Sequence, residues 1–290
     1  LYAFVYGSLR KNEQNHHFLE GASLISEQAW TSGELYSGSS YYPLLIKNEA
    51  SLAYGELYEI DEGMLQQLDR LEGYREKDPD SLFKRETSAV HTQQKSYSAY
   101  VYYYPHPPEG KPVLHRDWKV EQLLKKESYY YFAFGSCMDQ ERFYKSGVQN
   151  LFQKIEGGAE LQGYHLGFSY HRADGGRADI IERSGDSVEG VVYNITGKAL
   201  DYLFRREGVT NQVYRPVVVE VTLHNGPVVE ALSFTVIHKK ENLTPPLHYA
   251  REIHRGGRYY LSKNYMERLE QRLQHELPVN EFTKYLQQME

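Results

Sequence analysis

One phrase of this sequence is written twice without a gap. Residues 54–74, YGELYEIDEGMLQQLDRLEGY, return at 189–209 as EGVVYNITGKALDYLFRREGV. Tyr58 falls on Tyr193, Leu65 on Leu200, Leu68 on Leu203, Arg70 on Arg205, Glu72 on Glu207 and Gly73 on Gly208. The flanks repeat too: YAFVYGSLRKNE at 2–13 matches YYFAFGSCMDQE at 130–141, LFKRETSAV at 82–90 matches VYRPVVVEV at 213–221, and SAYVYYY at 98–104 matches EALSFTV at 230–236. Self-similarity over such a span restricts the 290-residue chain to two copies of one domain. The expected division is residues 1–126 and 127–290. It follows PHPPEGKPVLHRDW, whose prolines cannot continue a central strand, and lies within the polar KVEQLLKKES.

Each copy reads as a strand, a Gly-Ser loop, further strands, a helix ending at Glu-Gly, and more strands. Leu65, Leu68 and Leu71 carry helical spacing, and Gly73 and Gly208 suit a helix C-terminus. YGELYEI and VVVEVTL alternate as half-buried strands do. The 27 tyrosines, many in runs such as YVYYY, add to the strand preference. The mixture predicts an α+β fold with a strongly curved, mostly antiparallel sheet or barrel in each copy. YMERLEQRLQHEL at 265–277 predicts a C-terminal amphipathic helix with Leu269, Leu273 and Leu277 on one stripe, a packing element of the second copy with a lid as the alternative.

The repeat filters the candidates for chemistry. Glu56, Glu59, Asp61, Glu62 and Asp69 of the first copy become Val191, Asn194, Thr196, Gly197 and Phe204 in the second. The shared carboxylate is Glu72 and Glu207. A helix C-terminus repels negative charge and burial raises a carboxylate pKa, so both effects push this glutamate toward general-base work. A solvated helix end kept by both copies is the alternative. The Gly-Ser loops allow a sharp turn after an aromatic strand and bring backbone N–H groups close to a ligand's anionic end.

Cys137, the chain's single cysteine, sits in the second loop, where the first copy has Leu9. No histidine stands at matching positions to activate a thiol. Cys137 therefore reads as a small inert side chain in a loop that acts through its backbone, with a nucleophile as the alternative. One cysteine allows no internal disulfide and no cysteine-based zinc cluster. The net charge of −6 gives no basic field for nucleic acid or anionic membranes, and no apolar run reaches the roughly 20 residues of a membrane span. Opening in a strand-like segment without a signal-peptide pattern, the chain is expected to be cytoplasmic.

YFAFGSCM, EGVVYNI, REGV, VYRPVVVEV and PPLHYAREIHRGGRYYLSKNYMERL of the second copy resemble the γ-glutamylcyclotransferase branch of the superfamily of that name, in which branch the opening motif usually reads YFAYGSN. FVYGSLRKNEQNHHFL, YYPLLI, GELYEID, LDRLEGY and HRDW of the first copy resemble its AIG2-like, or γ-glutamylamine, branch. The resemblance spans nearly the whole chain. It implies two tandem copies of a small mixed α/β barrel with no metal and no cofactor. It further implies a small γ-glutamyl substrate, whose α-amine attacks its own γ-carbonyl to give 5-oxoproline and a free amine. Glu207 and Glu72 would be the catalytic proton shuttles. Phe134, Gly135, Ser136, Cys137 and Met138 in one copy, and Tyr6, Gly7, Ser8, Leu9 and Arg10 in the other, would hold the substrate through backbone N–H groups. Tyr214, seven residues after Glu207, matches a tyrosine of the γ-glutamylcyclotransferase branch and is either a substrate contact or a buried core tyrosine, whereas the first copy has Phe83. Phe134 and Cys137 replace the family's tyrosine and asparagine. A binding module without turnover, and a related amide hydrolase, are the competing readings.

Overall fold

The computed structural model describes residues 1–37, 42–108 and 110–289; Tyr41 of the YYPLLI segment lies outside them. The chain divides into two compact units, Leu1–Gln122 and Leu123–Glu290.

The first unit contains β1 (Tyr2–Val5), β2 (Ser23–Ser32), β3 (Glu34–Ser37), β4 (Pro43–Ile46), β5 (Leu52–Glu59), α1 (Glu62–Leu71), β6 (Lys84–His91), β7 (Ser96–Tyr103) and the short β8 (Lys111–Pro112). Helix α2 (Trp118–Leu123) runs across the division. Five strands close into a barrel in the order β1-β5-β2-β6-β7, and β3, β4 and β8 form a separate small sheet. All barrel pairs are antiparallel except β1 with β7, which closes the ring in parallel. Alternation along the strands sends Phe4, Ala29, Leu57, Val90, Ala99 and Val101 into the barrel. The opposite faces of β1 and β7 pack Ala3, Val5 and Tyr102 against Leu65 and Leu68 of α1.

The second unit repeats this plan. Its elements are β9 (Ser128–Ala133), α3 (Gln140–Lys145), β10 (Ile155–Arg172), β11 (Gly175–Thr196), α4 (Gly197–Arg206), β12 (Tyr214–Leu223) and β13 (Val228–Val236), followed by helices α5 (Leu247–Gly257), α6 (Lys263–Gln271) and α7 (Phe282–Gln287). The barrel closes in the order β10-β11-β9-β13-β12, and again one parallel pair, β9 with β13, completes it. Aligned by repeat, β9, β10, β11, β12 and β13 take the places of β1, β2, β5, β6 and β7. The expected curved, mostly antiparallel sheet is a closed five-stranded barrel, present twice.

The C-terminal stripe departs from a plain helix. Helix α6 runs into a π-helical turn, Arg272–Glu276, where the Leu277 N–H bonds five residues back to the Arg272 carbonyl. The wider turn rotates the stripe: Leu269 and Leu273 are buried, while Leu277 is half-buried. Among the described residues no helix is long and apolar enough to cross a membrane.

Candidate active sites

The way each helix stops fixes its glutamate. Glu72 is the C-cap of α1 and Glu207 the C-cap of α4. Each is followed by a left-handed glycine, Gly73 at φ +61° and Gly208 at φ +62°, a conformation that penalises any Cβ. Paired bonds then seal the end: Gly73 N–H to Arg70 O and Tyr74 N–H to Asp69 O, repeated as Gly208 to Arg205 and Val209 to Phe204. The cap consumes the helix-end carbonyls and leaves the glutamate side chain to line a cavity.

In the second unit that cavity, about 120 Å³, brings together Phe134, Gly135, Ser136, Cys137, Glu207 and Tyr214. The N–H groups of Ser136 and Cys137 have no backbone acceptor among the described residues. Tyr193 braces the loop from behind, its hydroxyl 3.2 Å from the Cys137 carbonyl and 3.3 Å from that of Met138. The Tyr214 hydroxyl donates to the Ala178 carbonyl at 2.8 Å, and the Ala178 N–H donates to the Tyr249 hydroxyl at 3.1 Å. Both rings are thereby pinned at the cavity wall. In the first unit an equal cavity of about 120 Å³ brings together Tyr6, Gly7, Ser8, Leu9, Glu72 and Phe83. There Tyr6 donates to Tyr102 O at 2.6 Å, and Asn15 ties down the Ser8 side chain at 3.0 Å.

Two residues expected at the ligand are elsewhere. The Met138 N–H donates to Gly135 O, and the Arg10 N–H to Gly7 O, each closing the turn at 3.0 Å. Neither residue lines its cavity. The Arg10 side chain is buried in an ion-pair triad, 3.0 Å from Glu56 and 2.6 Å from Asp117. Arg10 ties the loop to the HRDW segment rather than holding a ligand. The two carboxylates offset the hydration that the buried guanidinium loses.

Burial pushes Glu72 up to about 7. Burial also raises Glu207, opposed by the Arg206 and Arg142 guanidinium groups. Arg206 reaches across the site: its Nε lies 3.0 Å from Cys137 Sγ and 3.4 Å from Glu207 Oε1, and its terminal Nη2 donates to Ser136 Oγ at 2.9 Å. Cys137 Sγ is 3.9 Å from Glu207 Oε1, and burial raises the thiol above its ordinary value despite Arg206. A buried, protonated thiol is a poor nucleophile.

Sequence reasoning passed over Arg206, Tyr249, Tyr170 and the arginines at 142, 172 and 177, all of which line the second cavity. For Arg206 a signal existed: it precedes the shared glutamate at the position where the first copy has Leu71. Tyr249 comes from α5, beyond the repeated segment, so the repeat could not report it. Among the described residues no group of three His, Cys, Asp or Glu side chains is arranged to hold a metal ion.

Comparison with known proteins gives the same grouping. Residues 3–120 match the family described as gamma-glutamyl cyclotransferase, AIG2-like, and residues 187–269 match the AIG2-like family. The chain is 38% identical to the Bacillus subtilis protein YkqA over 278 residues, 93% of this chain and 96% of that one; the name of YkqA assigns it gamma-glutamylcyclotransferase activity only provisionally. The crystal structure of YkqA superimposes with a TM-score of 0.85, covering 96% of this chain and 99% of the other. A gamma-L-glutamyl-butirosin B gamma-glutamyl cyclotransferase of Niallia circulans is 34% identical over 41% of this chain and 76% of its own length. A bovine gamma-glutamylcyclotransferase is 30% identical over 46% of this chain and 71% of its own. The chain belongs to the γ-glutamylcyclotransferase superfamily, as a tandem member of the YkqA type.

Proposed function

We propose that the chain is a cofactor-independent γ-glutamyl cyclotransferase with Glu207 and Glu72 as the general acid–base of their respective sites. The supporting observation is that the one carboxylate shared by the repeats ends the same helix in both copies and lines a cavity with the same Gly-Ser loop. The substrate supplies its own nucleophile. The glutamate removes a proton from the α-ammonium, and the freed α-nitrogen attacks the γ-carbonyl carbon. The negative charge that develops on the carbonyl oxygen is met by the N–H donors of Ser136 and Cys137, or of Ser8 and Leu9. The bond from the γ-carbon to the leaving nitrogen then breaks. Two protons pass in sequence through the glutamate from the α-nitrogen to the leaving nitrogen, giving 5-oxoproline and a free amine, with no water consumed.

A carboxylate held near neutrality is suited to that double transfer, since efficient proton shuttling wants a pKa near the working pH. Holding amine and carbonyl together in a small cavity adds the advantage of an intramolecular reaction. The test is 5-oxoproline release from a panel of γ-glutamyl amino acids and γ-glutamyl amines by the wild-type chain and by the Glu72→Gln/Glu207→Gln double variant. Release by the first and none by the second supports the reading. Release of free glutamate instead would make water the nucleophile and the protein an amide hydrolase. Binding without any product would make it a binding module.

A further inference from the structure

Resting on the proposed cyclotransferase reading, we infer that the second site selects γ-glutamyl compounds whose leaving portion carries an additional carboxylate beyond its α-carboxylate, as an acidic amino acid or acidic peptide does. The selecting element is a cationic groove at the cavity mouth.

The inner cavity around Glu207 is small, about 120 Å³, and it opens into a groove of about 590 Å³. The two share Arg142, Tyr170, Arg172, Arg177 and Tyr249 as walls. A substrate seated with its glutamyl group at the Gly-Ser loop therefore sends its leaving portion into the groove.

The groove's charges are unequal. Among the described residues its one lining acid is Asp174, which accepts Arg177 at 2.8 Å through both carboxylate oxygens and lies 3.8 Å from His248. Arg177 is further engaged by the Gly175 and Gly176 carbonyls and stacks over Tyr249, so it contributes fixed shape more than a free donor. His171 faces the Glu241 carbonyl at 2.7 Å. That leaves two cations with capacity to spare. The Arg172 guanidinium is exposed and has no ion-pair or hydrogen-bond partner among the described residues. Arg142 pairs with Glu252 through one terminal nitrogen, while its Nε is buried with no hydrogen-bond partner. Arg172, unpartnered among the described residues on a groove that Arg142 also lines, offers a carboxylate a planar fork of N–H donors.

The first site is an internal control. Its cavity has the same size and the same glutamate, yet no Lys, Arg or His lines it among the described residues. Where the second copy has Arg206, the first has Leu71.

The experiment compares γ-L-glutamyl-L-glutamate with γ-L-glutamyl-L-glutamine, which differ by one carboxylate in the leaving portion. In the full chain carrying Glu72→Gln, only the second site works. There kcat/KM is expected to favour the acidic dipeptide about two- to fivefold, the range of one exposed ion pair, and the preference should shrink as salt is raised. Adding Arg172→Gln should raise KM for the acidic dipeptide more than for the neutral one and erase most of the ratio. Arg172→Lys should keep much of it. The chain carrying Glu207→Gln, which reports the first site, should show no preference for acid. Equal kcat/KM for the two dipeptides at the second site, unchanged by Arg172→Gln, overturns the inference while leaving the cyclotransferase reading intact. If no γ-glutamyl compound is turned over, that reading fails by itself. Calorimetric titration of both dipeptides into the Glu72→Gln/Glu207→Gln chain, with and without Arg172→Gln, then decides the groove's selectivity. Tighter binding of the acidic dipeptide that depends on Arg172 supports it, and equal binding overturns it.

Discussion

Glu72 and Glu207 have the same backbone conformation, φ −80° and ψ 0°, as the C-caps of matching helices in two units that each close a barrel. Their settings differ in charge, since Arg206 lies 3.4 Å from Glu207 and the equivalent residue beside Glu72 is a leucine. Replacing either glutamate by glutamine keeps the shape and removes the proton acceptor. General acid–base catalysis is typically worth about 10²–10⁴-fold. Glu207→Gln should therefore lower kcat at the second site by that order while the substrate still binds. Glu72→Gln should cost less of the total turnover, because Phe83 offers no hydroxyl where the second site has Tyr214. The check is 5-oxoproline production by each single variant and the double, with circular dichroism for folding. Undiminished turnover in the double variant would remove both glutamates from the mechanism.

The two sites should also separate by pH. Burial lifts Glu72 from an ordinary 4.5 to about 7. As a base it must be ionised, so the rate of the Glu207→Gln chain, which reports the first site, should climb through about pH 7 and level above it. Stability runs the other way. A carboxyl group with a folded-state pKa above its unfolded value holds protons more tightly when folded. The folded state thus loses stability as pH rises from about 4.5 to about 7. Glu72→Gln should melt with wild type below that window and above wild type beyond it. Identical melting differences at pH 4 and pH 8 would contradict the assignment.

Cys137 invites a nucleophilic reading that its surroundings oppose. The thiol is buried, held protonated by that burial, and braced by Arg206 at 3.0 Å. The loop's contribution in this mechanism is its backbone. Cys137→Ser and Cys137→Ala should keep kcat within a few-fold, measured as 5-oxoproline release on the second site alone. Loss of activity in both variants with folding intact, together with inactivation by stoichiometric alkylation, would make the thiol essential.

What the sequence disclosed follows from what repetition can report. Two matched copies expose the residues both retain: the Gly-Ser loop, the helix ending at Glu-Gly, and the strand set that closes into a barrel. Gly55 and Gly190 appear only as matching letters until the fold is known. A Cβ there would lie 2.3 Å from the Val5 carbonyl oxygen and 2.4 Å from that of Ala133, where neighbouring strands cross closely. Features belonging to one copy stay silent. Arg10 looks like part of a ligand loop until Asp117, far along the chain, is found against it. The paired long strands β10 and β11 carry Arg172 and Arg177 to the cavity mouth, and α5 brings Tyr249. Such placements depend on tertiary packing, which spacing within a segment does not encode.

The Gly-Ser glycines provide the last test, for a reason other than unusual backbone angles. Neither Gly7 nor Gly135 has a positive φ. What they share is closeness to a wall. A Cβ on Gly7 would meet the Pro43 ring at 2.6 and 2.9 Å, and one on Gly135 would meet the Ala178 Cβ and the Tyr249 hydroxyl, each at 3.2 Å. A proline ring cannot rotate aside, so Gly7→Ala must displace β4 or the loop itself. Overpacking of this kind typically costs about 1–3 kcal/mol. Gly135→Ala should cost less, because contacts at 3.2 Å need give by only a few tenths of an ångström, but that shift would disturb the pinned wall and raise KM at the second site. Gly197 is the control: it opens α4, has open space where a Cβ would go, and lacks a positive φ. Gly197→Ala should be neutral or stabilising by up to about 1 kcal/mol. Urea denaturation of the three variants, with KM measured on each isolated site, checks the order. A Gly7→Ala chain as stable as wild type, with the first site's KM unchanged, would mean that the loop has more room than the Pro43 contact allows.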